Sequence, residues 1–131
     1  MPQAMPPLLV LVVDDEVLIH DLVAEALTDA GYGVEYAADG NIALELLNGP
    51  HSFRAIVTDI DLGRGPTGWD VARRARETKA DFPVVYMSGG SAGDWGARGV
   101  PGSTMIAKPF VSAQVVTAVS ALLNDESYRF G

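Results

Sequence analysis

The stretch Arg54-Ala55-Ile56-Val57-Thr58-Asp59-Ile60-Asp61-Leu62-Gly63 decides how the chain is read. An apolar, β-branched run at Ala55-Ile56-Val57 stops at Asp59 and gives way to a glycine-containing loop. A short run of this kind, bounded by turn residues, predicts a buried strand. A carboxylate at the end of such a strand is poor core material. In open α/β sheets, ligands collect at the carboxyl ends of the strands. Asp59 therefore directs attention to what the other strands bring to the same edge.

Upstream, Leu8 to Val13 is a run of six apolar residues that stops at Asp14-Asp15-Glu16. Such a run suits a strand covered on both faces, hence a parallel sheet. Ile19, Leu22, Val23, Ala26, Leu27 and Ala30 recur at spacings of three and four and predict a helix that Gly31 closes. Val34 to Ala37 predicts a second strand, and Asp39 caps a second helix carrying Ile42, Ala43, Leu46 and Leu47, closed by Gly49-Pro50.

Downstream, the loop Leu62 to Thr67 leads into a third helix with Trp69, Val71, Ala72 and Ala75 among its apolar positions. The fourth strand, Pro83 to Met87, ends at Ser88-Gly89-Gly90. Between Gly89 and Gly102 stand six glycines and one proline, so at most one short, mobile helix is expected, around Ala92 to Arg98. Ser103 to Ala107 is the fifth strand, ending at Lys108-Pro109, and a last helix carries Val115, Val116, Val119, Leu122 and Leu123. The alternation predicts a three-layer α/β fold: a doubly wound parallel sheet with helices on both faces and right-handed crossovers. One domain is expected over 8–123, between a loose, proline-rich tail at 1–7 and a short tail at 124–131.

Composition narrows the function. A chain of 131 residues buries roughly two-thirds of its unfolded surface and needs no staples. It has no cysteine, which excludes disulfides, thiolate metal sites and a cysteine nucleophile. It has no 18-residue apolar stretch and no signal-peptide pattern at its start, so a cytoplasmic location is expected. A net charge of -8 gives no attraction to nucleic acid or to an anionic membrane. Five of the nine Lys/Arg residues fall between Arg64 and Lys79 and read as a solvated helix face.

Four predicted strands end in charged or hydroxylated residues: Asp14 and Asp15, Asp59, Ser88, and Lys108. In a parallel sheet these ends share one edge. Three carboxylates at close range repel and raise one another's pKa values. A divalent cation resolves this, and Mg2+ is a hard ion that takes carboxylate oxygens while keeping several waters. Lys108 pairs with the remaining charge. The set suits phosphoryl transfer, with a carboxylate attacking while metal and ammonium neutralise the equatorial oxygens. Gly89 and Gly90 leave room beside Ser88.

With Leu11-Val12-Val13-Asp14-Asp15-Glu16, Val57-Thr58-Asp59, Gly68, Met87-Ser88-Gly89 and Lys108-Pro109-Phe110 in place, the chain resembles the receiver domain of two-component response regulators over roughly Leu8 to Leu123. The resemblance implies a flavodoxin-like sheet with strand order 2-1-3-4-5. It implies that Asp59 accepts a phosphoryl group from a phosphohistidine on a sensor histidine kinase or a histidine phosphotransfer protein, and that the signal passes to a protein partner by conformational change. Asp14 and Asp15 would hold Mg2+ (or Mn2+), with Asp15, Asp59 and the backbone carbonyl of Asp61 as direct ligands. Ser88 would bond the phosphoryl oxygen and Lys108 would pair with the group. A cis peptide is common in this family at Lys108-Pro109. No enzymatic activity beyond autophosphorylation and autodephosphorylation is implied.

The chain also departs from the family pattern. The switch pair consists of Ser88 and the position three residues before the lysine, usually Tyr or Phe; here it is Met105, whose thioether can repack. The loop after Asp59 reads Leu62-Gly63 where Met-Pro is usual, and the distance to Gly68 is one residue longer. Asp61 and Gly90 occupy positions that tune the lifetime of the phosphoryl group in this family. Receivers dock their kinase on the first helix, which gives an exposed Leu18 a use; His20 reads as an ordinary surface residue, and Trp69 and Trp95 as packing. Both a stand-alone receiver and the receiver of a hybrid histidine kinase fit.

Two other classes share part of this pattern. Asp59-Ile60-Asp61 resembles the nucleophile motif of haloacid-dehalogenase-like phosphatases, but there the acidic pair comes last, whereas Asp14-Asp15 comes first here. A flavodoxin-like cofactor site needs a phosphate-binding loop after the first strand, and Asp14-Asp15-Glu16 would repel the phosphate.

Overall fold

The computed structural model describes residues 6–130, with side chains through Asn124. Strands β1 (Leu9–Val13), β2 (Gly33–Ala37), β3 (Phe53–Asp59), β4 (Val84–Ser88) and β5 (Thr104–Ala107) form one parallel sheet in the order β2-β1-β3-β4-β5. Helices α1 (Val17–Asp29), α2 (Gly40–Asn48), α3 (Gly68–Thr78), α4 (Trp95–Arg98) and α5 (Ser112–Phe130) connect and cover it, with a 3-10 turn at Ala92–Asp94. This is the flavodoxin-like order expected.

Successive strand residues point to opposite faces, and both faces are buried, which is why β1 is apolar throughout. On one side Leu11, Val13, Ile56 and Tyr86 pack with Ala43 of α2 and Trp69, Val71 and Ala75 of α3. On the other, Val10, Val12, Val57, Val85 and Met87 pack with Val23 and Leu27 of α1 and Val115 and Val119 of α5.

Local chemistry sets the helix ends. The Asp39 carboxylate accepts from Ile42 N at 2.8 Å, as its cap role requires. Gly31 has φ 98°, a left-handed conformation that closes α1. Gly68 opens α3 against β3, where a Cβ would stand 2.2 Å from the Asp59 carbonyl oxygen. Only glycine lets the helix start this close to the end of β3.

The glycine-rich segment forms only the 3-10 turn and the single turn of α4, as the sequence predicts. Helix α5 continues to Phe130, past the last apolar position of its stripe and into the expected tail at 124–131. Apolar periodicity stops at Leu123, but no Gly or Pro breaks the helix before Gly131. Gly131 and residues 1–5 of the expected N-terminal tail lie outside the described residues, while Pro6 and Pro7 are exposed and irregular. Among the described residues no helix is long and apolar enough to cross a membrane.

Candidate acidic site

Parallel register brings four strand ends to one edge. Val13 of β1 pairs with Thr58 of β3, Asp59 with Met87 of β4, and Ser88 with Ala107 of β5. The next residue along places Asp14 beside Asp59, and Lys108 beside Gly89, one residue past Ser88. Asp14 and Ser88 are wholly buried and Asp59 is 5% exposed, which is where carboxylates need a reason to be.

Lys108 gathers the charges. Its Nζ lies 3.3 Å from Asp59 Oδ2, 3.7 Å from Asp14 Oδ2 and 3.8 Å from Glu16 Oε1. The lysine is anchored by its own backbone N–H, which donates to Ser88 O at 2.8 Å, and it is followed by a cis peptide to Pro109. Asp59 Oδ1 accepts from Ile60 N at 2.8 Å. Asp14 Oδ1 accepts from Glu16 N at 2.8 Å, whereas Asp14 Oδ2 is buried without a hydrogen bond.

The electrostatics follow. Burial, reinforced by the charge of Asp59, raises the Asp14 pKa to about 6 despite the Glu16 amide and the Lys108 ammonium. Burial also raises the Asp59 pKa, against the opposing pull of Lys108. Burial alone would lower the Lys108 pKa, but Asp59, Asp14 and Glu16 together raise it. The ammonium stays charged, and the carboxylates are only partly compensated.

Oxygens of Asp14, Asp15, Glu16 and Asp59 lie within 4.8 Å of one another. Two of these residues are buried and two exposed, so the cluster opens to solvent on one side. An orphaned buried carboxylate oxygen within an all-oxygen donor set fits a hard divalent cation.

The remaining predicted residues lie around this centre. Ser88 Oγ accepts from Ser91 N at 2.7 Å. The Asp61 side chain stands outside the acidic cluster, with Oδ2 3.5 Å from the Ser91 hydroxyl. Met105 is half-buried on β5, against the core on the α2/α3 side. Its neighbour in register, Tyr86, is fully buried; the Tyr86 hydroxyl accepts from Val100 N at 3.1 Å, and its ring lies 4.8 Å from that of Trp69. The large buried aromatic of this region thus comes from β4, not from position 105. Trp69 is packing, as expected; Trp95 is 39% exposed and donates from Nε1 to Ser103 Oγ at 2.9 Å.

Two residues depart from the sequence reading. His20 is not an ordinary surface residue: its side chain is 14% exposed, its ring centroid lies 3.7 Å from that of Tyr36, and Nδ1 is 3.0 Å from Asp21 Oδ1. Its place on α1, three residues before Val23 and seven before Leu27, is the spacing of the buried stripe. Tyr36, given no role by the sequence, donates its hydroxyl to the Asp14 carbonyl at 3.0 Å.

This edge can be set beside known proteins. Residues 10–120 match the family model of the response regulator receiver domain. The chain belongs to that family. The response regulator MprA of Mycolicibacterium vanbaalenii is 29% identical over 119 residues, which is 89% of this chain and 51% of that protein. The transcriptional regulatory protein TcrA of Mycobacterium tuberculosis is 31% identical over 115 residues, 86% of this chain and 45% of that protein. This receiver chain spans about half the length of the curated relatives it matches.

Among solved structures, a response regulator receiver protein from Sinorhizobium medicae superimposes with a TM-score of 0.86 at 44% identity, covering 90% of this chain and 95% of that one. The chemotaxis response regulator CheY4 of Vibrio cholerae gives 0.77 at 27% identity, covering 88% and 98%. The receiver fold and its place in two-component signalling are thereby fixed.

Proposed function

We propose that this receiver, read as residues 8–123, accepts a phosphoryl group on Asp59 from a phosphohistidine and signals through the change that follows. The observation that carries the reading is Asp59 itself, a nearly buried carboxylate held between the Ile60 amide and the Lys108 ammonium. In the transfer, an Asp59 carboxylate oxygen forms a bond to phosphorus as the bond from phosphorus to the donor imidazole nitrogen breaks. Lys108 balances the charge of the transferred group. Ser88 Oγ already accepts from Ser91 N, so its own proton is free to donate to a phosphoryl oxygen. Asp14, Asp15, Asp59 and the backbone carbonyl of Asp61 are the groups that would hold Mg2+ (or Mn2+). Bound there, the cation would offset the carboxylate charge and polarise the phosphoryl oxygens.

The donor is a sensor histidine kinase or a histidine phosphotransfer protein. Val17, Leu18 and Leu22 expose apolar surface on α1, Leu18 to 83%, next to a cavity of about 360 Å³ lined by Ile19, Leu22, Lys108, Pro109 and Phe110. An apolar face at the mouth of the site suits a docking helix. Downstream, Ser88 and Met105 are the switch positions, and the recipient is a protein, not nucleic acid or membrane. The role is that of a cytoplasmic signalling module and not of an enzyme with a separate substrate.

Borohydride reduction after phosphorylation tests the assignment, because it converts an aspartyl phosphate to homoserine. Peptide mapping is expected to find homoserine at position 59. Homoserine at 14, 15 or 61 with none at 59 would overturn the reading.

A further inference from the structure

Asp14 has four polar groups, and three of them are fixed. Its N–H donates to Ala37 O at 3.2 Å. Its Oδ1 accepts from the Glu16 amide. Its carbonyl accepts from the Tyr36 hydroxyl at 3.0 Å. Only Oδ2 is left over, buried and without a hydrogen bond, 3.7 Å from the Lys108 ammonium.

The Tyr36 contact solves a problem that the sheet cannot. The ladder between β1 and β2 ends at the pair Val13 and Ala37, so β2 has no further residue in register to pair with Asp14. A buried carbonyl left there without a donor would be costly. Tyr36, one residue before the end of β2, reaches the carbonyl with its side chain. Its ring is held in turn by the His20 ring from α1, which limits the rotamers that would carry the hydroxyl away. The peptide after Asp14 therefore has a fixed orientation, and so does the carboxylate that projects from it.

We infer that Tyr36 is a positioning residue of the acidic site. Its hydroxyl clamps the Asp14 main chain so that the Asp14 carboxylate is presented, with Oδ2 free, to a divalent cation. The inference rests on the proposed reading of the acidic cluster as a Mg2+ site and adds a residue from β2 to it. Tyr36 touches neither the cation nor the reacting carboxylate; it acts through Asp14.

The test is a Mg2+ titration of the unphosphorylated protein and of Tyr36→Phe, followed by amide NMR at Glu16, with the thermal midpoint of both metal-free proteins measured alongside. The substitution keeps the ring and its contact with His20. Loss of one ordinary hydrogen bond's worth of positioning is expected to weaken Mg2+ binding by roughly threefold to tenfold, beside the lower metal-free midpoint that an unpaired buried carbonyl brings. Equal affinities in the two proteins would overturn the role of Tyr36 while leaving the metal site standing. A lower midpoint with equal affinity would do the same and mark the hydroxyl as purely structural. Absence of saturable Mg2+ binding in the wild type would overturn the metal reading and this inference together.

Discussion

At the start of α3, Asp70 accepts from Thr67 N at 2.9 Å and Thr67 Oγ1 at 3.2 Å, and pairs with Arg73. In the acidic site, Asp14 has one donor on Oδ1 and none on Oδ2. The residue type is the same and the environments are opposite. The Thr67 amide, with help from the Thr67 hydroxyl and Arg73, holds the Asp70 pKa below the usual carboxylate range. Burial holds that of Asp14 up at about 6. One carboxylate serves the fold, completing a capping box. The other opposes the fold, held buried within the acidic cluster. Local rules of stability tend to fail at functional sites, and here the failure at Asp14 shares one domain with a helix start that obeys them.

The contrast is sharpened first by removing the ammonium. Lys108→Met leaves Asp14 and Asp59 facing each other in a largely buried site, and is expected to lower the stability of the metal-free protein on the order of 2 kcal/mol at pH 7. Urea denaturation reads this directly, and unchanged stability would show that Lys108 compensates nothing.

Asp14→Asn should act in the opposite sense, stabilising the metal-free protein at pH 7 on the order of 1–2 kcal/mol. The pH dependence has a defined sign. The folded-state pKa values of Asp14 and Asp59 are raised, so these two groups bind more protons in the folded protein than in the unfolded chain, for Asp14 between about pH 4 and pH 6. Stability is therefore gained as pH falls through that window and lost as pH rises through it. The wild-type thermal midpoint should rise from pH 7 to pH 5, and Asp14→Asn should flatten that rise. For Asp70, whose pKa is lowered, the contribution is present above the ordinary carboxylate pKa and is lost only in stronger acid.

The smallest effect belongs to the cap. Thr67→Ala removes a hydroxyl that accepts from Asp70 N at 3.3 Å and should cost about 1 kcal/mol, with no change in Mg2+ affinity. A stabilising Thr67→Ala or a destabilising Asp14→Asn would break the comparison.

The order of elements and the site were both legible because each depends on one periodic rule. Runs that stop at Asp14, Asp59, Ser88 and Lys108 must share an edge once the sheet is parallel, whatever the loops do. The contact between Tyr36 and Asp14 was hidden because it joins a half-buried side chain to a carbonyl, and neither leaves a pattern in the sequence. His20 did stand at the spacing of the buried stripe of α1, but its polar identity concealed it. Conversely, Leu22 has that spacing and is 45% exposed, lining the cavity beside Pro109 and Phe110. The last residues of α5 were missed because helix continuation without apolar periodicity shows only as the absence of a breaker.

The most direct measurement is intact mass after incubation with acetyl phosphate and Mg2+, with Asp59→Asn and an EDTA control alongside. The account predicts one added phosphoryl group in the wild type, none in Asp59→Asn, and none with EDTA. A phosphoryl group retained in Asp59→Asn, or gained equally in EDTA, would contradict it.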